Sequence, residues 1–271
     1  MLTSKERITS VFDDVASQHA WEDLYSGKID RTTYNFVSRL RNSEELLAPV
    51  VKGKVLDLGC GTGDLFPFFA RKGMPYVGVD LSPSMIERAN SRHEELLVES
   101  EAEFMTGDCE SLPFDAMSFD VVTAIALIEY LPDPARTLDE MSRVLKPGGI
   151  LYLTVPHKSC FNWTMRDIVA PVRDRLFPLY KRIKGSRLSA MSQVKHYHYD
   201  ADELDALMAK RTMRNIGEKY SNFYFILHPF DHVLPQTYVR LSEWADRSGK
   251  DKLFRRFAVN YLGLYQKDAT A

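Results

Sequence analysis

A cluster of glycines between two acids carries the clearest chemistry in this sequence. The stretch Asp57-Leu-Gly-Cys-Gly-Thr-Gly-Asp64 follows a short apolar run, and glycine lets a backbone turn tightly and approach a ligand closely. A second acid, Asp80, ends the next apolar run. It follows the first acid by roughly twenty residues, the spacing at which a carboxylate binds ribose hydroxyls. Together these features predict a site for a cofactor that contains a nucleoside.

The residue after the glycines indicates which cofactor fits. The dinucleotide fingerprint requires a third glycine where this chain has Asp64, and no Gly-Lys-Ser/Thr phosphate loop is present. A carboxylate at the start of a helix repels a pyrophosphate, whereas it tolerates a ligand with a positive centre. The sequence therefore favours S-adenosylmethionine over NAD and disfavours an oxidoreductase.

The elements that position these residues alternate between strands and helices. Five apolar runs between residues 54 and 156 are separated by segments with helical spacing, which is typical of βαβ units. Ser82-Pro83 and Asp133-Pro134 each predict a helix start, because proline follows a capping residue, and the first of these helices is predicted to continue to about Val98. Asp200 and Glu203 predict a further helix start with a capping-box-like pair. Later elements are predicted as strands at 223–227 and 257–265 and a helix at 238–247. The pattern predicts an α/β fold with a Rossmann-like, mostly parallel seven-stranded sheet and helices on both faces.

The chain is expected to divide into four parts around this sheet. They are an N-terminal helical cap at 1–50, the cofactor-binding core at 51–156, a basic inserted helical lid at 157–195, and the C-terminal part of the sheet at 196–271. The net charge of −2 over 271 residues excludes a strongly basic nucleic-acid binder. Three scattered cysteines fit a reducing compartment rather than a disulfide framework.

Five motifs in order along the chain resemble those of class I S-adenosylmethionine-dependent methyltransferases. They are Asp57-Leu-Gly-Cys-Gly-Thr-Gly63, Val79-Asp80-Leu-Ser-Pro-Ser-Met-Ile86, Gly107-Asp108-Cys-Glu-Ser-Leu-Pro-Phe114, Ser118-Phe-Asp120 and Arg143-Val-Leu-Lys-Pro-Gly-Gly149. The run is most similar to the small-molecule subgroup that includes enzymes of ubiquinone and menaquinone biosynthesis. The resemblance is strong over about residues 50–156 and weaker over the terminal strands.

The resemblance implies a role for each matching residue. Asp57 would hold nearby amides, Asp80 would bind the ribose hydroxyls, and Asp108 would accept from the adenine amino group. Leu81 would pack on the adenine, and Ile125 would line the methyl-transfer channel. The complete cofactor-binding set is Asp57, Gly59, Cys60, Gly61, Gly63, Asp80, Leu81, Met85, Asp108, Cys109 and Ile125.

Methyl transfer to a weakly acidic hydroxyl needs a group that removes its proton. His157 follows the fifth predicted strand, at the sheet edge where ligands bind in such folds. Glu129 and Tyr130 stand where many relatives of the subgroup carry an acid followed by histidine, so the tyrosine departs from the family pattern. These three residues are the predicted catalytic candidates, and for His157 the alternative is a loop histidine that only bonds backbone.

Four further residues are predicted to contact the substrate. His196 and His198 share one face of an extended segment, but no third ligand with recognisable spacing accompanies them, so no metal site is predicted. Trp21 and Tyr25 lie in the cap, which in the resembling families closes over the cofactor. Packing of these two aromatics onto the sheet is the alternative.

A basic segment at 161–190 contains seven Arg or Lys residues and two Asp residues among many apolar side chains. Such a segment either lies on an anionic membrane or forms a lid over a bulky substrate, and both interpretations stay open. No signal peptide or membrane-spanning run is present in the sequence, so we expect a cytoplasmic protein, soluble or peripheral to a membrane. The sequence makes no prediction of the oligomeric state.

These patterns predict an S-adenosylmethionine-dependent methyltransferase that modifies an oxygen, carbon or nitrogen of a small, aromatic or lipid-like metabolite. An RNA or protein methyltransferase is the alternative within enzymes. RNA is disfavoured, because the basic segment is short and no RNA-binding motif accompanies it. A protein that binds the cofactor without transferring its methyl group is the alternative outside enzymes.

Overall fold

A single sheet organises the residues that the computed structural model describes, which are 4–17, 29–163, 194–226 and 234–270. Its strands are β1 (Val55–Leu58), β2 (Tyr76–Asp80), β3 (Ala102–Thr106), β4 (Phe119–Ile125), β5 (Leu145–Pro156), β6 (Met213–Phe223) and β7 (Ala258–Lys267). Their order is β3-β2-β1-β4-β5-β7-β6. Strands β1 to β5 are parallel, and β7 runs antiparallel to both β5 and β6. The predicted seven-stranded, mostly parallel sheet is confirmed.

Helices cover both faces of the sheet. They are α1 (Ser4–Ser17), α2 (Tyr34–Leu47), α3 (Phe66–Ala70), α4 (Pro83–Arg92), α5 (Glu94–Glu99), α6 (Ala135–Val144), α7 (Ala201–Ala209) and α8 (Pro235–Arg247). Successive strand residues point to opposite faces. Leu151 and Leu153 of β5 therefore pack in one buried cluster with α6 and α7, while Tyr152 packs in the other with α2, α3 and α4. Burial on both faces explains why β5 is an uninterrupted apolar run.

The topology of the sheet creates a ligand-binding edge. The carboxyl ends of parallel strands lie together, and the strand order reverses between β1 and β4, where a crevice opens in folds of this type. The glycine cluster follows β1, Asp80 ends β2, and a 3₁₀ turn at Ile128–Tyr130 follows β4. The fold therefore brings the predicted site residues to a single edge.

Two predicted boundaries are wrong. A strand is predicted at 223–227, but β6 occupies Met213–Phe223. β6 lies at the edge of the sheet, and polar residues such as Arg214 and Glu218 interrupt the apolar pattern by which a strand is recognised. The helix expected to run from Pro83 to about residue 98 divides at His93. The His93 ring is buried against Phe66 and Phe104, and its Nε2 lies 3.1 Å from the Thr62 carbonyl oxygen.

The other expected helix starts agree closely with the structure. Ser82 caps α4 by accepting a hydrogen bond from the Met85 amide. Asp200 and Glu203 form a reciprocal capping box on α7. α6 begins just after Pro134, which occupies its N-cap rather than its first turn. Most of the expected lid, residues 164–193, lies outside the described residues.

Candidate active site

A cavity with an empty volume of about 1170 Å³, including its open mouth, lies at the carboxyl ends of β1, β2 and β4. The loop after β1, the ends of β2 and β3 and the turn after β4 form its walls, and α1 lies against it. All of the predicted cofactor-binding residues except Gly63 line it. The structure thus brings together residues that are up to 68 positions apart in the sequence, from Asp57 to Ile125.

Gly63 supports the loop from behind. Its φ is +76°, in the left-handed region that favours glycine, and an added Cβ would lie 2.7 Å from the Phe104 ring and 3.0 Å from the His93 ring. The sequence prediction placed Gly63 against the cofactor, whereas the structure places it against packed aromatic rings. Position 63 therefore requires glycine because its φ is positive and because the neighbouring rings leave no room for a Cβ atom.

Asp80 joins the glycine loop to the start of α4. Its two carboxylate oxygens accept hydrogen bonds from the Gly61 amide and the Ser82 amide, both at 2.9 Å. Burial raises the pKa of Asp80, and these amides oppose that rise. Each oxygen of a carboxylate offers two acceptor positions. One position per oxygen remains for a pair of ligand hydroxyls.

Asp57 is buried and bound by hydroxyl groups. It accepts hydrogen bonds from Tyr76 Oη at 2.7 Å and from Thr123 Oγ1 at 2.6 Å. The resemblance implied backbone amides as its partners, so the observed partners correct that expectation. Burial raises the pKa of Asp57 to about 6 despite the two hydroxyl donors. Asp57 therefore lies behind the glycine loop, and its carboxyl group ionises less readily than that of an exposed aspartate.

Asp108 is paired with a lysine from the N-terminal helix. Lys5 Nζ lies 2.7 Å from Asp108 Oδ2 and 2.6 Å from Glu110 Oε2. Partial burial pushes the pKa of Asp108 upward, but Lys5 and the Glu110 amide outweigh it and hold that pKa below its usual range. Sequence analysis missed Lys5, because nothing in the local sequence indicates that it reaches a strand end about a hundred residues away.

α1 covers this part of the cavity. Ile8, Thr9 and Phe12 line it together with Lys5. The Phe12 ring contacts the Tyr130 ring edge-on at 5.2 Å between centroids, and Ser82 Oγ donates to Asp13. Trp21 and Tyr25, the cap aromatics named from the sequence, lie outside the described residues, so their contact with substrate stays a prediction.

A buried arginine from α2 also lines the cavity. Arg39 is 5% exposed, and its guanidinium carbon lies 5.5 Å from the centroid of the Phe36 ring. Sequence analysis missed it, because a charge between the apolar positions of a predicted helix carries no signal that it reaches a cavity. Its burial is visible only in three dimensions.

His157 is held by structural contacts away from the cavity lining. Its Nδ1 lies 3.3 Å from the Ala258 carbonyl oxygen, its Nε2 lies 3.4 Å from Asp200 Oδ1, and its ring packs against Tyr220. Burial lowers the pKa of His157, although Asp200 opposes that change. In this geometry the side chain ties the end of β5 to β7 and to the start of α7.

The other catalytic and substrate candidates separate into two groups. Tyr130 lines the cavity, Glu129 is buried beside it, and His196 Nδ1 lies 3.6 Å from Glu129 Oε1. His198 instead stacks on the Trp163 ring, 4.9 Å between centroids. The two histidines therefore contact different neighbours, and only His196 lies next to the turn after β4.

Comparison with known proteins identifies the family. A family model described as a methyltransferase domain matches residues 56–153. A ubiquinone/menaquinone biosynthesis C-methyltransferase from Geobacter sulfurreducens is 33% identical over 239 residues, which cover 82% of this chain and 87% of that protein. The chain belongs to the S-adenosylmethionine-dependent methyltransferases. This confirms the predicted family and, with it, the predicted cofactor.

Two further comparisons show how much of a relative's length the chain matches and which fold it shares. A demethylmenaquinone methyltransferase from Chlorobaculum tepidum is 35% identical over 155 residues, which cover 56% of this chain but only 61% of that relative. The chain thus matches less than two thirds of that relative's length. A solved magnesium protoporphyrin IX methyltransferase from Synechocystis, with bound S-adenosylhomocysteine, has a TM-score of 0.65 at 16% identity, covering 96% of this chain and 98% of that one. This likeness supports the fold.

The cavity fits the cofactor of this family. Four acids line the cavity, Asp57, Asp64, Asp80 and Asp108, against the two bases Lys5 and Arg39, and this excess of negative charge suits a cationic ligand. The glycine backbone after β1 leaves room for close approach, and Leu81 and Met85 provide apolar contact. Across the described ranges, no helix is long and apolar enough to cross a membrane.

Proposed function

We propose that this protein transfers the methyl group of S-adenosylmethionine to an oxygen, carbon or nitrogen of a small, aromatic or lipid-like acceptor. One observation carries the proposal: a single cavity joins the acidic, glycine-walled cofactor end to an apolar end. The apolar end is lined by Phe12, Leu127, Tyr130 and Leu131. A flat apolar molecule fits such walls better than a charged polymer does.

The cofactor end supplies binding and orientation. When bound, the sulfonium group supplies an electrophilic methyl carbon. Asp80 would hold the ribose hydroxyls through the acceptor positions that the two amides leave open. The Gly59 and Gly61 backbone would face the methionine part, and Asp108 would accept from the adenine amino group while it keeps Lys5 as its partner. Fixing the cofactor in this way leaves the acceptor to be aligned from the opposite end.

The acceptor end supplies exclusion of water. α1 and the turn after β4 bring the Phe12 and Tyr130 rings together over the cavity. An apolar enclosure desolvates the reacting atoms and prevents water from competing for the methyl group. The names of the relatives, which refer to quinone biosynthesis, support an acceptor that combines a ring with a lipid tail.

The central experiment separates cofactor binding from transfer. Calorimetry with S-adenosylmethionine and S-adenosylhomocysteine should show binding at micromolar concentrations. Incubation with methyl-labelled cofactor and a cell extract should then place the label in the organic fraction. Label in RNA or protein would support the alternative enzyme, while binding without any label would support a non-catalytic binding protein.

The protein is also proposed to contact an anionic membrane surface through residues 161–190. This proposal rests on the net positive charge and the apolar side chains of that segment. Flotation with vesicles tests it: the protein should float with vesicles that contain phosphatidylglycerol and remain in solution with pure phosphatidylcholine. A lid without membrane contact predicts no flotation with either.

A further inference from the structure

A buried carboxylate lies beside the acceptor end of the cavity. Glu129 is 4% exposed and sits in the 3₁₀ turn after β4. Its Oε2 has no hydrogen-bond partner among the described residues, and its Oε1 lies 3.6 Å from His196 Nδ1. A carboxylate removed from water is unfavourable unless a donor or a positive charge accompanies it. His196 is the ionisable side chain that the structure brings to it.

Backbone contacts hold His196 in this position. The Tyr197 amide donates to the Glu129 carbonyl oxygen at 2.7 Å, and the Tyr199 amide donates to the Pro156 carbonyl oxygen at 3.1 Å. The segment around His196 is therefore fixed across the carboxyl edge of β4 and β5. Neither His196 nor Glu129 belongs to the cavity wall, but the His196 ring lies 4.9 Å from the ring of Tyr130, which does. The His196 side chain keeps 33% of its surface exposed, so it stays open to an acceptor bound against Tyr130.

We propose that His196 is the general base of the methyl transfer and that Glu129 is its positioning residue. This inference rests on the proposed function and narrows the acceptor to a hydroxylated aromatic ring, such as a phenol or hydroquinone. Nδ1 faces Glu129, which leaves Nε2 to accept a proton. The carboxylate stabilises the imidazolium that forms, as in other carboxylate–histidine pairs.

The step balances without any further reactant. The acceptor O–H bond breaks, its proton moves to His196 Nε2, and its electron pair stays on oxygen. That oxygen forms a bond to the methyl carbon as the carbon–sulfur bond breaks, and the sulfur keeps the bonding pair as a neutral thioether. The proton on His196 then leaves to water.

Among the described residues, other titratable groups lie near this pair, including Tyr199, which the charges of Glu129 and Asp133 both influence. Tyr130 lies on the same turn as Glu129, and Tyr197 and Lys195 lie on the segment of His196, with the Lys195 ammonium over the Tyr197 ring at 4.6 Å. Phe12 reaches the turn from α1 and carries no charge. Glu129 is thus the carboxylate in direct contact with the imidazole.

Kinetics of purified variants test the pair, with a panel of catechols and short-chain hydroquinones as acceptors. His196→Ala should lower kcat by about a hundredfold with little change in KM, which is the usual scale for loss of a general base. Glu129→Gln should lower kcat by about tenfold, and Glu129→Asp should recover part of the loss.

A spectroscopic measurement tests the base without turnover. With S-adenosylhomocysteine present, 4-nitrocatechol should bind to the wild type as its coloured anion at a pH where the free compound is mostly neutral. In His196→Ala it should bind as the neutral form. Tyr197→Phe, which changes the adjacent residue but not the pair, should behave like the wild type.

The outcomes separate the inference from the proposed function. Unchanged kcat and an unchanged anion fraction in His196→Ala, with normal melting and normal S-adenosylhomocysteine affinity, would overturn the role of the pair. If the wild type binds cofactor but methylates none of the phenols and hydroquinones, the hydroxylated acceptor is wrong. If it binds no cofactor, the proposed function itself fails.

Discussion

The two ends of the cavity are built in different ways. At the cofactor end, the glycine loop follows β1, Asp80 ends β2 and Asp108 lies two residues after β3, and α1 adds a lysine. At the acceptor end, Glu129 and Tyr130 from one turn meet His196 from a segment 66 positions further along the chain. The cofactor end therefore depends mainly on local sequence, whereas the acceptor end depends on how distant segments pack.

This difference has a physical cause. A cofactor common to a family is bound by backbone amides and by acids at strand ends, whose positions follow from the strands themselves. An acceptor is recognised by the shape and polarity of a pocket, which several elements create together. Variants at the two ends should therefore affect cofactor binding very differently.

Asp80→Ala should have the largest effect on cofactor binding. It removes the predicted ribose acceptor and also the partner of the Gly61 and Ser82 amides, so the affinity for S-adenosylhomocysteine should fall roughly a hundredfold, or ~3 kcal/mol. Leu131→Ala, at the acceptor end of the same cavity, should change that affinity by less than about threefold. Calorimetry measures both. Similar losses in the two variants would contradict the division of the cavity.

Asp57 should make stability depend on pH at the cofactor end. Its pKa is about 6 in the folded protein, above the ordinary value of 3.8, so the folded state holds this proton more tightly than the unfolded state does. The stabilisation is complete below about pH 4, declines as pH rises towards 6, and is absent above that. The loss should approach ~3 kcal/mol at most.

Urea unfolding between pH 4 and 7 checks this dependence. Asp57→Asn carries no titrating group, so the difference in unfolding free energy between wild type and variant should change across this range. Parallel curves would show that Asp57 remains ionised in the folded protein. Binding of a cationic cofactor should favour the ionised form, so the wild type should bind S-adenosylmethionine more tightly at pH 7 than at pH 5.

Gly73, which lies outside the glycine loop, provides a matched control for a substitution at Gly63 within it. Both have positive φ, +76° at Gly63 and +65° at Gly73, but an added Cβ meets the Phe104 ring at 2.7 Å at Gly63 and nothing within 4 Å at Gly73. Gly63→Ala should lower the unfolding free energy by about 2 kcal/mol and Gly73→Ala by about 1 kcal/mol. Equal losses would mean that the aromatic rings shift to accommodate the methyl group.

The sequence predicts the cofactor end of the cavity better than the parts that distant segments build together. The positions of Asp57, Asp80 and Ile125 at or near strand ends were predictable, because apolar runs and glycines signal these ends locally. The course of β6 was not, since an edge strand with one solvated face reads as polar. Lys5 and Arg39 were missed because a charge on a helix carries no signal of the distant partner or cavity that it reaches.

Lys5 offers the smallest and most selective test, because it links α1 to the cofactor end without belonging to a strand-end motif. The side chains of Lys5 and Asp108 are 39% and 36% exposed, so the pair contributes less than about 1 kcal/mol. Lys5→Met should therefore speed S-adenosylhomocysteine dissociation by about two- to fivefold at low salt, and high salt should erase the difference. Lys158→Met, which breaks a comparable pair with Glu203 outside the cavity, should leave dissociation unchanged. Stopped-flow measurement decides the matter: a change above tenfold that persists in high salt would place Lys5 in direct contact with the cofactor.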